Sequence, residues 1–224
     1  MRPLARRVAL AAAAALLAAG EAAAQPECPS PTRPPRVEVA LNDPEPTLDL
    51  GSGTAALRAE DGAPRDAAHR HLGVTTSRVE WQSEMEARVE AASGRVCARP
   101  ERVAISLRHV EHSVRIAREL PRGGCLFRET EAHERRHVAV NRATLRRAAA
   151  EVEAAARAWA GSAVGLGATE QSAVAALRDG PRRAIAPAVD AMQAARDAGH
   201  REIDRPEEYR RLGSVCPDDQ KAIR

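Results

Sequence analysis

His133-Glu134-Arg135-Arg136-His137 decides how the rest of this chain is read. The five residues spell H-E-x-x-H, the zinc-hydrolase pattern. On a helix, residues four apart lie on one face, so both imidazoles can reach a single cation. Glu134 follows the first histidine and is placed to take a proton from water activated there. The bland alternative is a solvated helix face on which Glu134 pairs with Arg135 or Arg136. The flanking sequence argues for the metal.

Downstream, Val138, Leu145, Val152 and Trp159 recur every seven residues, with Ala149 and Ala156 filling the stripe. This predicts one long amphipathic helix from about Leu126 to about Gly161. At roughly 100° per residue, Thr130, His133, Glu134, His137 and Asn141 fall in one sector, and the apolar stripe overlaps it further down. One face thus begins polar and becomes apolar. Buried polar groups without partners cost a few kcal/mol each, and a bound metal would satisfy them.

Upstream the period is two. Val37 to Leu41 alternates, and Asn42 to Pro46 is turn chemistry. Thr54 to Arg58 begins a short helix, and Asp61 to His71 reads as a loop. Met85, Ala87, Val89 and Ala91 alternate with Glu84, Glu86, Arg88 and Glu90. Val103, Ile105 and Leu107 repeat the pattern, and Val114 and Ile116 do so after a polar turn near His109 to Glu111. The expectation is an α+β fold: a small antiparallel sheet, solvated on one side, packed on the H-E-x-x-H helix and followed by an antiparallel helical hairpin. The sheet region is 37–120 and the helical region 126–213, within one domain over 37–224. Helices are expected over Thr169–Arg178 and Arg182–Ala198, broken by Gly180-Pro181. Another starts at Asp204-Arg205-Pro206, with Asp204 as N-cap.

A catalytic zinc takes three protein ligands and leaves one position open. Glu151 on the same helix sits roughly 20 Å beyond His137 and is out of reach. The extended metzincin pattern fails, because Val140 and Ala143 stand where its glycine and third histidine belong. A returning hairpin brings the region from Asp190 onward to the right height. The candidates are Asp190, Asp197, His200, Asp204, Glu207 and Glu208; Asp204 is the first choice as metal ligand, with His200 and Glu208 next. Tyr209, the chain's one tyrosine, either faces a developing oxyanion or packs its helix. His69, His71, His109 and His112 read as surface residues in loops or turns.

Residues 1–24 read as a signal peptide: Arg2, Arg6 and Arg7, an apolar run from Val8 to Ala19, then Ala22-Ala23-Ala24. A Pro-rich lead-in occupies 25–36. With the leader removed the chain is close to neutral. Only 2% of residues are aromatic, so platforms for stacking bases are missing and a nucleic-acid role has little support. No segment of the mature chain is apolar enough to span a membrane. Four cysteines in an exported chain point to disulfides. Cys97–Cys125 and Cys28–Cys216 are the preferred pairs, because one brackets the strands before the metal helix and the other ties the ends together.

Ala132 to Val138, the Gly123-Gly124-Cys125 turn, the export signal and Ile203-Asp204-Arg205-Pro206-Glu207-Glu208-Tyr209 together resemble a bacterial family of predicted secreted zinc-dependent proteases, catalogued as a domain of unknown function. The likeness covers most of the mature chain loosely; the H-E-x-x-H helix is its specific part. It implies His133 and His137 as zinc ligands and Glu134 as catalytic acid/base. That family commonly carries a small or neutral residue inside the motif. Arg135 and Arg136 depart from this, which bears on substrate preference more than on metal binding.

The reading is a periplasmic or secreted zinc metallopeptidase acting on peptides or proteins. Its rivals are a non-catalytic zinc-binding envelope or interaction protein, marked by a fourth protein ligand, and a disulfide-stapled structural protein without metal.

Overall fold

Two long strands built on period-two alternation form the frame. The computed structural model describes residues 28–60, 72–92 and 94–223. The expected leader, the first residues of the lead-in, and the loop over 61–71 with His69 and His71 lie outside the described residues. In chain order the elements are β1 (Arg36–Asn42), β2 (Thr47–Asp49), α1 (Thr54–Glu60), β3 (Gly73–Ala92), β4 (Arg95–Ile116), α2 (Cys125–Ser162), β5 (Gly165–Gly167), α3 (Glu170–Ala175), α4 (Gly180–Ile203), α5 (Pro206–Ser214) and α6 (Pro217–Ala222).

The sheet is mixed, which corrects the expected small antiparallel sheet. β3 and β4 pair antiparallel along their whole lengths, but β1 and β2 lie parallel to β4, with Val37 opposite Val103 and Leu48 opposite Val114. β5 completes the same edge of β4 opposite Val96 to Ala98. Alternation fixes which face of a strand is dry, and it does so equally for either direction. Direction is set by the connections, and β2 reaches the β3–β4 hairpin only through α1 and the segment after it.

β4 also runs through the place where a turn was expected. Val79 pairs with His109 and Arg78 with Glu111, so Val110 is an extra residue, a β-bulge. The bulge resets the alternation. Val103, Ile105, Leu107 and His109 are buried before it, and His112, Val114 and Ile116 after it. His109 and His112 therefore face the interior, not solvent. A second bulge at Glu101, where Glu86 pairs with Arg102 and Ala87 with Pro100, accommodates a proline that donates no ladder hydrogen bond.

The other face of the sheet is charged, with Arg102 paired to Glu38 and Glu86 and Arg108 paired to Glu80. On the inner face, Val37, Val103, Ile105 and Leu107 pack against Leu145, Ala148, Val152 and Ala156 of α2 and Ile185 and Met192 of α4. α2 and α4 run antiparallel in close contact: Gly180 lies under the Trp159 ring and Gly199 against Val140. Gly180 and Pro181 open α4 and do not interrupt a helix, since proline is tolerated in a first turn.

The disulfides are Cys28–Cys97 and Cys125–Cys216, which corrects both preferred pairs. The reason is the length of β4. Nineteen residues separate Cys97 from the end of the strand, about 60 Å at 3.3 Å per residue, so Cys97 and Cys125 lie at opposite ends of the sheet. The lead-in instead folds back along the hairpin, where Pro29 accepts a hydrogen bond from Arg99. The C-terminus docks at the start of α2, where Asp219 accepts from the Leu126 amide. The two bridges fit an oxidising compartment. Among the described residues no helix is long and apolar enough to cross a membrane.

Candidate metal centre

α2 carries the motif as a single uninterrupted helix, and the sector marked by the helical wheel is buried: Thr130, His133, Glu134, His137 and Asn141 are each less than a tenth exposed. The end of α4 returns beside them. Three donor atoms converge there. His137 Nε2 lies 3.2 Å from His133 Nε2 and 3.1 Å from Asp204 Oδ1, and His133 Nε2 lies 3.3 Å from the same oxygen. Tetrahedral zinc with bonds of about 2.0–2.1 Å has donor–donor edges of about 3.3–3.4 Å. The triangle matches one face of such a polyhedron, and the donors are those a borderline divalent ion accepts. His133, His137 and Asp204 could thus hold a metal ion. Among the described residues no fourth His, Cys, Asp or Glu joins this group.

Each ligand is oriented from behind. Asn141 Oδ1 lies 2.9 Å from His200 Nε2, so that nitrogen carries the proton and His200 Nδ1 is left as an acceptor. His200 Nδ1 in turn lies 2.5 Å from His137 Nδ1, with the rings stacked. His137 therefore donates from Nδ1 and turns the lone pair of Nε2 toward the triangle. Burial, with His137 beside it, holds His200 down at about 4, so it remains neutral. His133 Nδ1 faces Glu208 Oε1 at 3.4 Å and Arg136 Nη2 at 3.0 Å, and those two pair with each other. Arg136 only donates, so in the metal-free geometry it faces the Nδ1 lone pair; with Nε2 given to a cation, Nδ1 would carry the proton and Glu208 is the one of these two groups able to accept it. Asp204 Oδ1 also accepts from the Tyr209 hydroxyl at 3.1 Å. Although burial opposes it, in the metal-free protein the facing imidazoles of His133 and His137 and the Tyr209 hydroxyl hold the Asp204 carboxyl well below the usual range.

Glu134 is 4% exposed. Thr75 of β3 donates to its Oε2 at 2.7 Å, and Gly73 lies so close that a Cβ there would stand 2.6 Å from Glu134 Oε1. Burial pushes the Glu134 carboxyl up, against the pull of Thr75, His133 and His137. The two inner arginines leave it alone: Arg135 pairs with Glu131 and Arg136 with Glu208.

The other expected residues sort cleanly. Asp204 closes α4, while Arg205 is the N-cap of α5, so the expected N-cap role is corrected. His200 and Glu208 stand behind the histidines and outside the triangle. Asp190, Asp197 and Glu207 are exposed. Thr75 and Gly73 are not visible in the sequence as site residues, since a threonine and a glycine 59 or more residues upstream of the motif carry no local signal. Tyr209 supports Asp204 through its hydroxyl.

No protein-family model, no curated protein and no solved structure matches this chain.

Proposed function

We propose that this chain is an exported zinc metallopeptidase. The observation that carries the reading is the triangle of His133 Nε2, His137 Nε2 and Asp204 Oδ1, with edges of 3.1–3.3 Å, beside a buried glutamate. A bound zinc ion supplies Lewis acidity, polarising a carbonyl and bringing the pKa of water to about 7. Glu134 is the base. Burial raises its affinity for a proton, which suits a group that must both accept and return one. It takes the proton of the attacking water and hands it to the leaving amine as the C–N bond breaks. Thr75 fixes one carboxylate oxygen and leaves the other free for that traffic.

Among the described residues β3 pairs with β4 alone. Its outer edge therefore offers backbone donors and acceptors beside Glu134, and an extended peptide can pair with such an edge. A triad with no fourth His, Cys, Asp or Glu among the described residues is the pattern of turnover and not of passive zinc storage. The disulfides support a periplasmic or secreted location.

Glu134→Gln is expected to retain zinc and to lose peptide hydrolysis by about 10²- to 10⁴-fold. Metal analysis beside an unspecific casein assay checks this. Full cleavage by the variant would refute the mechanism.

A further inference from the structure

A second cluster lies on the inner face of the sheet. Asp43, just after β1, and His109 and His112 of β4 each offer one donor atom, and these atoms lie within 4.8 Å of one another. His109 and His112 are 5% and 7% exposed, and the Asp43 side chain is 7% exposed. The two rings stack with centroids 4.3 Å apart. Residues three apart on a regular strand point to opposite faces; the Val110 bulge brings these two together.

The hydrogen bonding of this cluster is incomplete. His109 Nδ1 lies 3.1 Å from Asp43 Oδ1. His109 Nε2 and both ring nitrogens of His112 are buried without a hydrogen-bond partner. The Pro44 carbonyl is near His112 but misses hydrogen-bonding geometry. Orphaned polar atoms of this kind are costly to bury, and three of them belong to this one pair of rings. Burial lowers the proton affinity of both imidazoles. Asp43 is already oriented: Arg142 and Arg146 occupy its Oδ2 at 3.0 and 3.1 Å and leave Oδ1 turned to the histidines. Ligating carboxylates are commonly held in this way from behind.

We propose that Asp43, His109 and His112 form a second metal site, distinct from the His133–His137–Asp204 centre, that takes a borderline divalent transition ion such as Zn²⁺. Two imidazoles and one carboxylate suit zinc, nickel or copper and not the all-oxygen preference of calcium or magnesium. Arg142 and Arg146 stand directly against Asp43. These positive charges make the second site the weaker of the two.

The test uses the mature chain with both disulfides intact, stripped with a chelator and dialysed against Zn²⁺. Wild type is expected to bind two equivalents, the second more weakly. His137→Ala and His112→Asn are each expected to bind one, and the double variant none. No bound ion in His137→Ala, or as many equivalents in His112→Asn as in wild type, overturns the proposal and means that internal water satisfies the cluster; a single wild-type equivalent that His137→Ala keeps and His112→Asn loses supports the second site and counts against the first. Should His112→Asn fail to fold, as judged by far-UV circular dichroism, His137→Ala decides by keeping or losing its single equivalent.

Discussion

Asn141 acts on the candidate metal centre from two residues away. Its Oδ1 fixes the proton of His200, which fixes that of His137 and so aims Nε2 at the triangle. Replacing Asn141 with leucine, similar in volume but without an acceptor, lets His200 choose the other tautomer. Loss of such a supporting partner weakens metal affinity about 10- to 100-fold. Competition with a chromogenic chelator measures it, and an unchanged affinity would sever the relay from the ligands. This level shows what sequence can and cannot display. His133, Glu134 and His137 stood out because one helical element sets their spacing. Asp204 could be chosen among six candidates only by the height of a returning helix. His109 and His112 looked like turn residues because the bulge that turns both inward has no composition of its own.

Among elements, the contact of α2 with α4 determines where the Asp204 end of α4 sits. Gly199 packs against Val140, and a Cβ there would stand 2.7 Å from Val140 Cγ1. Gly199→Ala is therefore expected to push the helices apart beside His200. It should destabilise the fold by about 1–3 kcal/mol as an overpacked contact does, and weaken zinc binding as well. Chemical denaturation with and without zinc checks both. A change in stability with zinc affinity intact would mean that α4 carries its ligand independently of this contact. The long helix was legible because its seven-residue spacing persists over several turns. Strand direction was not, since alternation is the same for parallel and antiparallel neighbours.

For the molecule as a whole, the buried histidines set the acid limit of the metal-free form. Burial lowers the pKa values of His109, His112 and His200, the last to about 4. The unfolded chain binds protons at these positions below about pH 6.5 while the folded chain refuses them. Their contribution is therefore fully present above about pH 6.5 and is lost as pH falls toward the folded values. His133 works in the opposite sense: burial pushes it down, but Asp204, Glu134 and Glu208 outweigh that and raise it. The raised carboxyl of Glu134 works with His133, whereas the lowered carboxyls of Asp204, Glu208 and Asp43 join the three imidazoles, so most of the shifted groups favour a loss of stability on acidification; each tenfold difference in proton affinity between the folded and unfolded chain is worth about 1.4 kcal/mol. The Tm of metal-free protein is expected to fall steadily from pH 7 to pH 4, and saturating zinc should raise it at pH 7. A flat profile would mean that these imidazoles are hydrated. The two disulfides hold the ends of the molecule, and their pairing was hidden in the sequence because it depends on which termini fold back along a strand 22 residues long.

That same hairpin has a consequence for how copies of the protein behave together. Among the described residues the outer rim of this twenty-residue strand pairs with no other strand, and such a rim is a template on which a second chain could stack, the usual route to fibrous aggregation. Glu80, Glu84, Glu86 and Glu90, with Arg78 and Arg88 between and beside them, line the strand with charge at nearly every other position. A neighbouring copy approaching in register would bring carboxylates against carboxylates. The charged residues that looked merely solvated thus guard the rim, while leaving it accessible to a single extended guest.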